Sequence, residues 1–364
     1  MDRSVSQRDA ETVCGGEEES SAGGGCSTEN PAGKMEGGPM IGRLHGLQSR
    51  AVDSAAFFGI GLWQLLGRAG RHSPQEWDDY VRNWLTKGGE EFYRVPDKIP
   101  EGLNEGRMSF PSPVTGDREE NNRFHLRVWP GPKGMKSPAM VMLHSLFSAS
   151  DVGYAHWASV LNRLGWTAVF YDLPYHFRRR PKGTWSGELV FGGNLIRSAE
   201  AIRQAVTEVR MVTRMLKASG APEVGLWGMS LGGWVAGLTL CHEPGLACGW
   251  LVQPIPDVAT AIWDSEGGWV LRRQMEERGL DRERVEKLLP LVCPSHGKLQ
   301  LPSKRVLVVG GSHDSVAPPS KLRALAEGWG GAHYREVGQG HIGYQAMPSA
   351  WRWGRELMPE LFQS

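Results

Sequence analysis

Cysteine is scarce in this sequence, and the five cysteines form no recognisable metal or redox motif. An odd number without a C-x-x-C spacing argues against a disulfide framework and against a zinc site. Proteins that lack disulfides are typical of reducing compartments. We therefore expect a cytoplasmic protein with no metal and no other cofactor.

Long apolar runs and an excess of one charge are missing too. No apolar run reaches the roughly 20 residues that a membrane-spanning helix needs, and no basic stretch followed by an apolar run predicts a signal peptide. Lys and Arg number 41 against 40 Asp and Glu, so the formal net charge is +1. A nucleic-acid-binding protein usually has a dominant basic excess, so we expect no nucleic-acid partner.

Aliphatic side chains are nearly missing from residues 1–40, which hold eight acidic and three basic residues among many Gly and Ser. Such a segment cannot bury enough apolar surface to offset its ordering entropy. We interpret it as a disordered acidic tail.

Residues 41–105 favour an N-terminal helical segment, because apolar residues recur at steps of three and four. A second helix is expected after Ser73, since serine followed by proline is a typical helix start. The stretch from Ala55 to Gly67 has one polar residue, Gln64. We favour packing of this stretch on the sheet or the cap, and peripheral contact with a membrane is the alternative. The predicted apolar face comprises Leu44, Leu47, Ala51, Ala55, Phe58, Leu62 and Leu65.

Residues 106–364 alternate short apolar runs with helical periods. This alternation predicts βαβ units and an α/β fold, with a mostly parallel central sheet flanked by helices. On the longer predicted helix, a polar side is expected at Arg203, Glu208, Arg210 and Arg214. The predicted strands lie around 124–128, 140–143, 168–171, 224–227, 250–252, 306–309 and 334–337, and the helices at about 151–164 and 195–217.

The strand at 224–227 runs into Gly228-Met229-Ser230-Leu231-Gly232-Gly233, and a helical pattern follows. G-x-S-x-G between a strand and a helix is typical of a nucleophile elbow, a strained turn that lifts the serine hydroxyl out of the sheet. A chance match is the alternative in a sequence with 48 glycines. The strand–turn–helix setting favours Ser230 as a nucleophile.

A nucleophilic serine needs a base and an orienting acid, which follow it in the chain order Ser, Asp or Glu, His. Asp314 follows the strand at 306–309, at the sheet edge where open α/β sheets gather functional groups. His341 lies in a glycine loop after the last strand. We predict that His341 is the base and Asp314 the acid, with Asp257, which also follows a strand, as the alternative acid.

Two backbone amides are expected to bind the oxyanion of the tetrahedral intermediate. One is that of Leu231, directly after the nucleophile, and the other is that of Leu146, in the loop after the strand at 140–143.

These features together resemble the α/β-hydrolase superfamily, over about residues 107–360. They are His144-Ser145-Leu146-Phe147, Gly228–Gly233, Asp314 and His341. The superfamily commonly has His-Gly where this sequence has His144-Ser145, which makes the second oxyanion donor less defined. The stretch Asp172–Tyr175, Arg178–Pro181 and Phe191–Gly193 is similar to the α/β-hydrolase domain-containing 18 family.

The expected activity is a serine esterase or lipase-like enzyme acting on a small-molecule or lipid ester. Arg178, Arg179 and Arg180 are expected to bind an anionic part of the substrate, with a solvated loop as the alternative. A helical cap at about 257–300 is expected to bind the acyl group, with extra packing as the alternative. A peptidase, an acyltransferase and an inactive binding protein remain the rival functions.

Overall fold

The computed structural model describes residues 46–49, 51–56, 58–59, 70, 72–146, 148–265 and 268–362. The predicted tail at 1–40 lies outside the described residues. So do Leu44, Leu62, Leu65 and most of the stretch from Ala55 to Gly67.

An eight-stranded sheet forms the centre of the protein, in the order β1-β2-β4-β3-β5-β6-β7-β8. Strands β3 to β8 run parallel, and β2 pairs antiparallel with both β1 and β4. This is the mostly parallel sheet that the sequence predicts. The strands are β1 Gly106–Pro111, β2 Arg123–Trp129, β3 Ala139–Leu143, β4 Thr167–Tyr171, β5 Val224–Met229, β6 Cys248–Val252, β7 Val306–Gly311 and β8 His333–Val337.

Helices cover both faces of the sheet. The first helix, which we call α1, comprises the helical residues 46–49, 51–56 and 58–59. A capping box of Ser73 and Glu76 begins the next helix at Pro74. The helices after α1 are α2 Pro74–Phe92, α3 Val152–Arg163, α4 Leu195–Ala218, α5 Leu231–His242, α6 Trp269–Glu276, α7 Arg282–Glu286, α8 Leu289–Val292, α9 Pro319–Gly328 and α10 Ala346–Leu357.

Two hydrophobic cores lie on opposite faces of the sheet, because successive strand residues point to opposite sides. One core packs α2, α4, α5 and the helical insertion α6–α8 against the sheet. The other packs α3 and α10, and in it Trp157, Trp227, Trp250 and Trp351 contact one another. Among the described residues, no helix is both long and apolar enough to cross a membrane.

Three local predictions differ from the structure. Strand β1 was not predicted, because this edge strand carries no clean alternation and only partial burial. The described part of the predicted apolar face of α1 is only partly covered, since Leu47 is 65% exposed and Phe58, although 46% exposed, stacks on Trp269 of the insertion at 5.9 Å. On α4, the expected polar side is partly interior, since Glu208 and Arg210 are buried and paired with Arg179 and Glu243.

Candidate active site

Ser230 lies between the end of β5 and the start of α5, in a strained backbone conformation. Its φ of 53° and ψ of −114° are rare for a residue with a side chain. The turn is this tight because two glycines permit it. A Cβ atom added at Gly228 or Gly232 would lie 2.3 Å from a backbone oxygen. The Ser230 amide donates to the Val252 carbonyl at 2.8 Å, which ties the turn to β6.

Three predicted side chains form a continuous hydrogen-bonded relay. Ser230 Oγ lies 2.8 Å from His341 Nε2, and His341 Nδ1 lies 2.7 Å from Asp314 Oδ2. Because a carboxylate only accepts hydrogen bonds, Nδ1 carries the proton and Nε2 accepts from the serine hydroxyl. Ser230 and His341 are 8% and 7% exposed, so the relay is almost closed to water.

Asp314 is held from several sides. Its Oδ1 accepts the amides of Val316 at 2.9 Å and Ala317 at 2.8 Å. The other oxygen, Oδ2, accepts from Gln253 Nε2 at 2.8 Å as well as from His341. These four hydrogen bonds fix the position of the Asp314 carboxyl group beside the imidazole.

The pKa of His341 lies above its ordinary value. Burial lowers it, but the charge of Asp314, its hydrogen bond to the ring and the charge of Asp53 outweigh the burial. A raised pKa makes the imidazole a better acceptor for the serine proton.

Asp257, the alternative acid, contacts other groups. Its Oδ1 accepts the Ala259 amide at 2.8 Å, and its Oδ2 accepts the Thr260 hydroxyl at 3.1 Å. It thus caps the helical turn that opens the insertion. The structure brings Asp314 to His341 and leaves Asp257 in this capping position.

Two glutamines support the acid and were not predicted. Gln253 follows β6 with a φ of 46°, and its buried side chain bridges Asp314 and the Gly340 carbonyl. Gln339 in turn donates to Gln253 Oε1 at 2.9 Å. A positive φ in a non-glycine residue points to a constrained site, but no sequence pattern announces it.

A third residue that the sequence did not single out is Asp53 of α1. Its Oδ2 accepts the His341 amide at 2.7 Å, and its Oδ1 accepts the Ile342 amide at 2.9 Å. A lone aspartate in a helical pattern gives no signal of a contact 288 residues away.

The loop expected to bind the oxyanion is shaped by His144. Its Nε2 accepts the Leu173 amide at 3.0 Å, so the ring proton is on Nδ1, which donates to the Ser145 carbonyl at 2.9 Å. Burial, and then His176, hold the pKa of His144 well below its usual value, which keeps the ring neutral. Leu146 lies in the turn that follows, and Phe147 lies outside the described residues.

Leu231 is the first residue of α5. Its amide is one of the first-turn amides that have no acceptor within a helix. This amide can therefore donate to an oxyanion on a substrate attached to Ser230.

The three arginines predicted to bind an anion do not act together. For Arg179 the prediction is wrong, because its guanidinium is buried and bound to both oxygens of Glu208, at 2.6 and 2.9 Å. Arg178 is exposed and donates to Asp172 at 3.2 Å, and Arg180 is exposed. Only these two remain accessible to a substrate.

The insertion between β6 and β7 is helical and packs mainly inward, with Val270, Met275, Val285 and Leu288 buried. An apolar cavity of about 40 Å³ lies between it and the helices α2, α4 and α5. Trp234, one helical turn after Ser230, forms part of the cavity wall. Among the described residues, no group of three or more His, Cys, Asp or Glu side chains is placed to hold a metal ion.

The relay lies at the carboxyl-terminal ends of the parallel strands, since its three residues follow β5, β7 and β8. Together with the strand order, this shows that the protein has the α/β-hydrolase fold. No protein-family model matches the chain. Two curated proteins of Mycobacterium tuberculosis, both called uncharacterized, are 26% identical over 185 residues: MT2702 of strain CDC 1551 / Oshkosh and Rv2627c of strain ATCC 25618 / H37Rv. The match covers 50% of this chain and 44% of each relative, less than half of their length.

Similar solved structures include two esterases and a peptidase. An acetyl xylan esterase from Paenibacillus sp. R4 is 14% identical with a TM-score of 0.49, covering 79% of this chain and 96% of that one. The Est2 esterase of Thermogutta terrifontis with bound propionate is 20% identical with a TM-score of 0.47, covering 67% and 92%. An acylaminoacyl peptidase from Pyrococcus horikoshii is 12% identical with a TM-score of 0.48, covering 71% and 41%. The resemblance to the α/β-hydrolase domain-containing 18 family stays a prediction.

Proposed function

We propose that this protein is a serine hydrolase that cleaves carboxylic esters through an acyl-enzyme intermediate. The observation that carries the proposal is the relay from Ser230 Oγ through His341 to Asp314, with both hydrogen bonds at 2.7–2.8 Å. A buried serine, histidine and aspartate joined in this way form the group that activates a serine nucleophile.

The reaction has two halves. In the first, Ser230 Oγ attacks the ester carbonyl carbon while His341 Nε2 takes the hydroxyl proton. The tetrahedral intermediate places its negative oxygen toward the amides of Leu231 and Leu146, and its collapse breaks the carbon–oxygen bond as His341 returns the proton to the leaving alcohol. In the second, His341 takes a proton from water, the hydroxide oxygen attacks the acyl carbon, and the acid leaves as the proton returns to Ser230.

The expected substrate has an apolar acyl group and a polar or anionic remainder, as in a lipid ester. The first part rests on the apolar side chains near Trp234, such as Phe191, Ile262 and Met275, which would have to separate to admit an acyl chain because the cavity between them is only about 40 Å³. The exposed Arg178 and Arg180 support the second. The exposed Leu47 and Val52 of α1 favour peripheral contact with a membrane, where such esters reside.

A fluorophosphonate probe tests the nucleophile. We expect the wild-type protein to be labelled on one residue and Ser230→Ala to lose the label completely while keeping its circular dichroism spectrum. Ser303→Ala is the matched control, since Ser303 lies before β7, at the opposite edge of the sheet, and should leave labelling unchanged. Labelling of the Ser230→Ala variant at the wild-type level would reject Ser230, and no labelling of the wild type would favour an inactive binding protein.

A substrate panel separates the remaining functions. It compares short esters, long-chain esters, phospholipids and peptide amides, with and without an alcohol acceptor. We expect the long-chain esters to have the highest kcat/KM. Preference for amides would indicate a peptidase, and transfer to the alcohol faster than to water would indicate an acyltransferase. Preference for short neutral esters would reject the lipid part of the proposal.

A further inference from the structure

A second carboxylate contacts the loop of His341 from outside the relay. Asp53 of α1 is fully buried, yet it lies on a helix whose other side chains, such as Leu47 and Val52, are exposed. Among the described residues of α1, Asp53 is the charged side chain that is buried, and it contacts the loop that carries the base.

The contact is with backbone rather than with the ring. Each carboxylate oxygen of Asp53 accepts one amide, Oδ2 that of His341 at 2.7 Å and Oδ1 that of Ile342 at 2.9 Å. Two consecutive amides bound by one carboxylate fix both the position and the direction of the peptide that carries the imidazole. Hydrogen bonds to a charged acceptor are about twice as strong as neutral ones.

The neighbouring glycine makes this approach possible. A Cβ atom added at Gly340 would lie 2.6 Å from Asp53 Oδ2, closer than such atoms can approach. At the start of α1, the ring of His313 lies beside Gly46, and a Cβ atom added there would be 3.0 Å from His313 Cε1. The helix and the loops after β7 and β8 thus fit together without room for larger residues.

We propose that Asp53 is a positioning residue for His341, holding its backbone so that the ring bridges Ser230 and Asp314. The catalytic meaning of this role rests on the proposed hydrolase function, whereas the contact itself does not.

The charge of Asp53 also acts on the ring. Burial raises the pKa of Asp53, and the two amide donors oppose that effect. In turn, Asp53 adds to Asp314 in raising the pKa of His341. The titratable groups around this pair are Asp314 after β7 and His313, whose ring lies against α1. Removing the charge of Asp53 should lower the pKa of His341.

The main test compares Asp53→Asn with Asp97→Asn, which removes the same charge from an exposed site. For Asp53→Asn, we expect kcat/KM toward an ester to fall up to about a hundred-fold, as a misplacement near 1 Å produces. The acid limb of the kcat/KM–pH profile should move to lower pH, because the base stays neutral to lower pH. The His341 titration, followed by NMR on histidine-labelled protein, should move the same way. Asp97→Asn should change none of these.

The outcomes separate the two proposals. A wild type that hydrolyses no ester would overturn the proposed function, while the NMR titration would still decide the role of Asp53. An unmoved His341 titration in Asp53→Asn overturns the positioning role, even if activity falls, since a merely structural residue would show that result. Full activity in Asp53→Asn overturns it as well.

Gly340→Ala provides a second route that does not require Asp53→Asn to fold. The added methyl group should push the carboxylate off the amides and lower the urea midpoint of unfolding. In an Asp53→Ala background the same change should lower the midpoint much less, because the clashing oxygen is gone. Equal losses in both backgrounds would mean that the contact is not made, and the proposal would fail.

Discussion

At the scale of single residues, His341 is held by two carboxylates that act on different parts of it. Asp314 binds the ring nitrogen, and Asp53 binds the backbone amide. The first fixes the tautomer and the second fixes the peptide. Gln253 adds a third constraint by binding Asp314 Oδ2, the same oxygen that accepts from the ring.

The identity of the acid can be tested directly. Asp314→Asn should lower kcat by about 10⁴, by analogy with the same change in a serine protease, because the asparagine amide favours the wrong tautomer of the base. Asp257→Asn should stay within a few-fold, since Asp257 caps a helical turn instead. Steady-state kinetics on a simple ester measures both. The opposite result, with Asp314→Asn active and Asp257→Asn inactive, would move the acid to Asp257.

Sequence reasoning predicted Ser230, His341 and Asp314 because each follows a strand and has a glycine-rich or chain-order signature. It missed Asp53 and Gln253, whose partners lie far away in sequence and whose surroundings carry no motif. It predicted that Arg179 binds an anionic part of the substrate, and it missed the pairing with Glu208 because that pairing depends on how α4 lies against the loop after β4. Pairings of this kind are set by tertiary packing rather than by local pattern.

At the scale of elements, the buried pair of Arg179 and Glu208 joins the loop after β4 to α4. Tyr171 also donates to Glu208, and Arg179 Nη2 binds the Asn121 carbonyl at 2.9 Å. Taking one partner away leaves a buried charge uncompensated. The loop that holds Arg178 and Arg180 is thus anchored by its middle residue.

We expect Arg179→Met to lower the free energy of unfolding by about 3–5 kcal/mol. Arg180→Met, a matched change at the exposed neighbour, should alter it by less than about 0.5 kcal/mol. Guanidinium unfolding followed by tryptophan fluorescence measures both. Equal stability of the two variants would show that the buried pair is not formed in solution.

The elements themselves were largely predictable. Continuous apolar runs marked β3, β4, β5 and β7 with boundaries within two residues, since strands buried on both faces leave little ambiguity. The surroundings of the apolar face of α1 were not predictable, because periodicity locates a face but does not say whether core or solvent lies beside it.

At the scale of the whole molecule, we expect residues 1–40 and α1 to differ in their importance for the proposed activity. Residues 1–40 have a composition that supports no core, whereas α1 carries Asp53 into the active site. The candidate active site therefore includes a contact from residues well before the first strand.

We expect deletion of residues 1–40 to leave kcat/KM for a simple ester within a few-fold of the full chain. Deletion of residues 1–59, which also removes α1, should lower kcat/KM at least as much as Asp53→Asn. Parallel ester assays on the two truncated chains and the full chain check this. Loss of activity or folding in the shorter deletion would show that the acidic segment docks on the domain.

The strained backbone at Ser230 lowers the stability of the fold at the position of the proposed nucleophile. Its φ of 53° is one that glycine adopts freely and serine adopts only under strain. A glycine at this position would relieve the strain and remove the hydroxyl together. Screening variants for heat resistance alone would therefore favour loss of the proposed nucleophile, so engineering of this protein toward thermostability has to retain Ser230 by a parallel assay of the proposed activity.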